Sequence, residues 1–145
     1  MKNNIQFIYI DNNEQIICSI KYNNKTFTGV AKCHPDDKDF CNRLTGEEIS
    51  YKRALIKVVK ERIKENKIKL QALNQLYYST NNSKYYNPKD YMALSLHRQI
   101  ELYKTDIETL KKWNKTIESE LNTYIELKDV IYKKLRKIRN KDEIN

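Results

Sequence analysis

Residues 1–33 alternate apolar and polar side chains with the period of half-buried strands. Ile5, Phe7 and Tyr9 form one run, Ile16, Cys18, Ile20 and Tyr22 a second, and Phe27, Gly29, Ala31 and Cys33 a third. Asp11-Asn12-Asn13 and Asn23-Asn24-Lys25 separate the runs, and Asn and Asp tolerate the positive φ that tight turns demand. The pattern predicts a three-stranded antiparallel meander with one face to be covered. Residues 34–46, HPDDKDFCNRLTG, combine a proline, a glycine and three aspartates and read as an ordered acidic loop leading into a helix.

The period then changes from two to 3.6. Thr45 is the candidate cap of a first helix, with Glu47 and Glu48 at the positive end of its dipole. Ile49, Ile56, Val59, Ile63, Leu70, Leu73 and Tyr77 recur at helical spacings over about 30 residues, roughly 45 to 50 Å. Ser79-Thr80-Asn81-Asn82-Ser83 reads as the break, and Asn87-Pro88 as the cap and first position of a second helix. That helix carries Leu96, Ile100, Tyr103, Ile107, Leu110, Ile117, Leu121, Tyr124, Ile131, Leu135 and Ile138 in a 3-4 alternation interrupted at Asn114 and Lys128. About six heptads of this kind form the seam of a coiled coil. The natural partner is the first helix, folded back so that position i faces roughly 167 minus i.

The fold expected is therefore α+β: an N-terminal three-stranded antiparallel sheet, then a long antiparallel helical hairpin. The expected segments are 1–46 for sheet and acidic loop, 47–141 for the coiled-coil hairpin, and 142–145 for a disordered tail. A second helix reaching residue 139 overshoots the first by about 20 residues. Those residues pack on the sheet, bend, or meet another copy in a homodimer. Lys128 is expected to face water or one of Asp36, Asp37 and Asp39, and Asn114 to fix register.

Composition narrows the function classes. The chain of 145 residues has 28 Lys and Arg against 19 Asp and Glu, a net charge of +9. A field of that sign favours anionic partners, although an AT-rich coding bias also enriches Lys, Asn and Ile. No run is long and apolar enough for a bilayer, and Asp11 interrupts the apolar start before any leader cleavage pattern, which points to the cytoplasm and away from membranes. Three cysteines, an odd number, are expected as reduced thiols. Cys18, Cys33, His34 and Cys41 could supply zinc ligands, but their spacing is not that of paired zinc ligands, and the plainer reading is Cys18 and Cys33 as buried strand residues and Cys41 as a loop residue. Asp36, Asp37 and Asp39 lack the rest of a nuclease site, and two glycines cannot build a phosphate loop. Neither catalysis nor a cofactor is expected.

Binding features are better represented. Lys52, Arg53, Lys57, Lys60, Arg62, Lys64 and Lys67 crowd the first helix, and Lys133, Lys134, Arg136, Lys137 and Arg139 the end of the second. Either set suits a phosphate backbone or an acidic protein surface. Tyr78, Tyr85 and Tyr86 beside the hairpin turn supply rings for bases or a protein pocket.

The segment FTGVAKCHPDDKDFCNRLTGEEISYKRALIKVV resembles a pattern in small uncharacterised phage and prophage proteins, with Gly29, Ala31, Cys33, Pro35, Asp37, Phe40, Gly46, Ser50, Arg53 and Ala54 at the matching positions. The resemblance implies a setting that includes anti-CRISPR-like antagonists of host defence. The function expected on that basis is a non-enzymatic inhibitor in the host cytoplasm. It would bind a host defence protein or ribonucleoprotein, such as a CRISPR effector, through its hairpin and basic face. Direct RNA or DNA binding and coiled-coil scaffolding are the alternatives. Strand, loop and basic helix are also loosely similar to the second half of a double-stranded RNA-binding domain, but Glu47 and Glu48 stand where such a helix is basic.

Overall fold

The computed structural model describes residues 4–81 and 91–144, with strands β1 (Ile5–Ile10), β2 (Gln15–Tyr22) and β3 (Lys25–Lys32), a 3₁₀ turn (Pro35–Phe40), and helices α1 (Arg43–Asn81) and α2 (Tyr91–Ile144). The protein is α+β: an antiparallel sheet of order β1-β2-β3, followed by two long helices that pack on each other. Asn23 and Asn24 both hold positive φ, 48° and 62°, as a two-residue hairpin requires between the paired Tyr22 and Lys25. Asp11, Asn12 and Asn13 do the same at the first turn.

Strand alternation sorts the sheet into two faces. Ile16, Cys18, Ile20 and Ala31 are buried on one face, and register places Phe7, Cys18 and Gly29 side by side across the three strands. The base of α1 covers that face through small side chains, with Ala54 fully buried beside Cys18, Ile20 and Val58. Ser50 is also fully buried. A second cluster joins Ala31, Ile49 and Leu121, so that sheet, α1 and α2 share one core. Arg53 and Lys57 donate to the Val30 and Thr28 carbonyls of edge strand β3, each at 2.6 Å. These bonds occupy acceptors that an open sheet edge would offer to another chain.

The compact units are drawn differently from the expected segments. One is Met1–Val58 with Lys115–Asn145, and the other is Val59–Asn114. The ends of both helices belong with the sheet, because Ala54, Val58 and Leu121 have their apolar partners there. α1 starts at Arg43 rather than near residue 47: Asn42 Oδ1 accepts from Leu44 N at 2.8 Å, so Asn42 caps the helix and Thr45 lies inside it. α1 also runs into the expected break, as far as Asn81. The Asn87-Pro88 helix start lies outside the described residues. α2 continues to Ile144, past the point where a tail was expected from residue 142.

The antiparallel register is also shifted. Lys52 meets Glu120 at 3.2 Å in the first unit, while Lys69 lies over Tyr103 and Tyr77 beside His97 in the second, so residue i faces about 172 minus i. The expected value of 167 followed from ending α1 too early.

Candidate partner-binding surfaces

Two basic clusters are the sequence-derived candidates, and the fold treats their members differently. The acidic loop decides much of this. His34 caps the 3₁₀ turn, its Nδ1 accepting from Asp36 N at 3.1 Å. The turn places Asp37, only 4% exposed, opposite α2, where both of its oxygens accept from the Arg136 guanidinium, Oδ2 from Nη2 at 2.5 Å. Arg139 donates to the Asp36 carbonyl at 2.8 Å, approaches Asp39 at 3.5 Å and lies 5.2 Å over the Phe40 ring. Phe40 in turn packs on buried Tyr132, at 5.9 Å between centroids.

The loop is therefore clamped to α2 through Asp37, while His34, Asp36, Lys38 and Asp39 stay exposed. Its direct partners are Arg136 and Arg139. Lys128, expected to face water or one of these acids, lines a cavity together with Asp37 and sits 3.5 Å from Asp129 and 5.7 Å from the Tyr132 ring. Beside the clamp lies a cavity of about 230 Å³ lined by Glu14, Lys32, Asp37, Lys128 and Arg136 among others.

Of the first-helix cations, Lys52 bridges Glu48 at 3.0 Å and Glu120 at 3.2 Å, while Arg53 and Lys57 hold β3. Lys60 also interacts within the chain. Lys52, Arg53, Lys57, Arg136 and Arg139 thus join elements of the fold, and Arg53, Lys57 and Lys60 keep exposed surface. A charge run read from sequence does not distinguish a cation facing solvent from one facing a sheet edge.

Arg62, Lys64, Lys67 and Tyr78 on α1 are exposed, Tyr78 at 70%, as are Lys133, Lys134 and Lys137 on α2. Lys64, Lys67, Gln71, Asn74 and Tyr78 follow spacings of three and four and share one face of α1 within the Val59–Asn114 unit. Lys67, Gln71, Asn74 and Tyr78 line an open depression of about 580 Å³ there. Sequence reasoning found its lysines and tyrosine but not Gln71 and Asn74, which carry no charge to flag them. Tyr85 and Tyr86 lie outside the described residues. No family model, curated protein or solved structure matches this chain.

Two of the three cysteines depart from the expected reduced state. Cys33 and Cys41 are joined by a disulfide with Cα atoms 6.1 Å apart, because the 3₁₀ turn returns the chain to the end of β3. The bond removes both sulfurs from any Cys3His set. Cys18 is a free thiol, fully buried, and burial pushes its pKa up to about 11. Treated with a thiol reagent at pH 8, the folded protein should not react. Unfolded without reductant it should release one thiol per chain, whereas three would show that the disulfide had not formed.

No helix among the described residues is long and apolar enough to cross a membrane.

Proposed function

We propose that the protein is a non-enzymatic inhibitor of the phage type, docking on a host nucleic-acid-binding protein or ribonucleoprotein through the α1 face formed by Lys64, Lys67, Gln71, Asn74 and Tyr78. The observation that carries this reading is the division of labour among the cations. Lys52, Arg53, Lys57, Arg136 and Arg139 make internal contacts, which interrupts the lysine and arginine tracks that a direct phosphate binder would use. What the α1 face offers instead is a mixed row of cation, amide and aromatic side chain. Such a row suits a protein surface carrying acidic groups, with Tyr78 as its anchor. Placement in the host cytoplasm belongs to the same proposal. The Cys33–Cys41 bond, of a kind that oxidising compartments preserve, is the observation that weighs against that location.

The test is capture of tagged protein from cells carrying a CRISPR system, with and without nuclease treatment, in about 150 mM salt. A stoichiometric protein partner should survive nuclease. Its capture should fall at least tenfold with Lys64→Glu combined with Lys67→Glu, or with Tyr78→Ala, roughly the loss of one interface anchor. Recovery of nucleic acid alone, lost with nuclease, would replace this reading by direct nucleic-acid binding.

A further inference from the structure

The buried face of α2 rotates beyond Leu121. Up to that residue Ile107, Leu110, Ile117 and Leu121 are buried on the 3-4 alternation, but the next buried apolar side chain is Tyr132. The rotation follows from a change of neighbour, since Tyr132 packs on Phe40, and Arg136 and Arg139 grip the acidic loop. It leaves Leu127, Val130, Ile131 and Ile138 exposed at 57%, 52%, 53% and 58%. α2 cannot turn these residues inward without breaking the clamp, so a single copy keeps this apolar stripe in water.

We propose that the stripe is the contact of a homodimer in which two α2 helices cross antiparallel, Leu127 of one copy against Ile138 of the other and Ile131 against Lys134. Spacing supports this, because 127, 131, 134 and 138 are separated by four, three and four residues, a pattern that reads the same in both directions. Charge selects the direction. A parallel pair stacks Lys134 on Lys134 in the seam. The antiparallel pair lays the aliphatic stem of Lys134 on Ile131 and brings Lys137 beside exposed Glu126, which flanks the same side of the stripe. Residues 127–138 span only about 17 Å, so the association is weak, on the order of 10 μM. The surface lies in the Met1–Val58 and Lys115–Asn145 unit and is independent of the α1 face.

Sedimentation velocity of the full chain from about 5 to 500 μM tests the proposal by mass action. The wild type should pass from monomer to dimer. Ile131→Lys, with unchanged circular dichroism, should dissociate at least about tenfold more readily, because it sets Lys against Lys134 of the other copy. Orientation is read by oxidation: Leu127→Cys mixed with Ile138→Cys should form a crosslinked heterodimer, and neither variant should crosslink to itself. A monomer at every concentration, with or without binding to anionic lipid vesicles, overturns the homodimer, as does an unchanged Ile131→Lys dimer. Self-crosslinking of Leu127→Cys overturns the antiparallel arrangement.

Discussion

Gly29→Ala is expected to lower stability by about 3 kcal/mol, the upper part of the range for overpacking a filled core, and the thermal midpoint by roughly 10 °C. A Cβ at Gly29 would stand 2.1 Å from the Ser50 carbonyl oxygen and 2.5 Å from the Ala54 nitrogen. Both are backbone atoms of α1, so no rotamer change relieves the overlap. The helix must lift from the sheet, opening the cluster of Cys18, Ile20, Ala54 and Val58. Thermal denaturation beside the exposed control Thr28→Ala measures the effect. A Gly29→Ala protein as stable as the control would mean that α1 is not seated on β3 in this way.

Gly46 supplies the contrast. A Cβ there would meet Ile16 Cδ1 at 2.6 Å, the far end of a flexible side chain. Gly46→Ala should therefore cost less, about 1 kcal/mol, and Ile16→Val should recover part of that cost in a double-mutant cycle. No truncation on α1 should rescue Gly29→Ala. Both glycines of the chain thus lie where helix and sheet approach most closely.

These contacts also explain what was legible in the sequence. Strand alternation and Asn-rich turns report local backbone preferences, and the meander follows from them. The helical seams are equally visible, because Leu and Ile at spacings of three and four are required wherever α1 and α2 touch each other. Where α1 comes nearest to Gly29 its sheet-facing side carries Ser50 and Ala54, whose small size permits the approach and gives no hydrophobic signal. The seam misleads beyond Leu121 for a related reason. Ile131 and Ile138 continue the heptad in sequence, while Tyr132, Arg136 and Arg139 answer to a loop roughly 100 residues away that periodicity does not register. Of the proposed surface, its charged and aromatic members were visible, but separating solvent-facing lysines from Lys52 and Lys57 required knowing where β3 and Glu120 lie.

The clamp between loop and α2 is expected to appear as acid sensitivity. Hydrogen bonds from Arg136 hold the Asp37 carboxyl below its ordinary value, with burial opposing them and the charges of Arg136, His34 and Lys128 adding smaller help. A carboxyl whose folded pKa is depressed contributes stability that is fully present above its unfolded value of about 3.9 and is lost as pH falls through the lower folded value. Wild type should therefore lose part of its stability below about pH 4. Arg136→Ala should already be several degrees less stable at pH 7, because it leaves the nearly buried Asp37 without its guanidinium, and it should lose less on further acidification. Glu47, held low by hydrogen bonds from Tyr9 and then Arg43, adds to the acid slope of both proteins and cancels in their difference. Melting curves of the two proteins from pH 2.5 to 7 should converge toward the acid end; parallel curves would mean that the Arg136 pair does not set the ionisation of Asp37. Asp37→Asn separates charge from geometry: it should match Arg136→Ala in losing the pH-dependent difference while keeping a neutral acceptor for Arg136, and so should be the more stable of the two at pH 7.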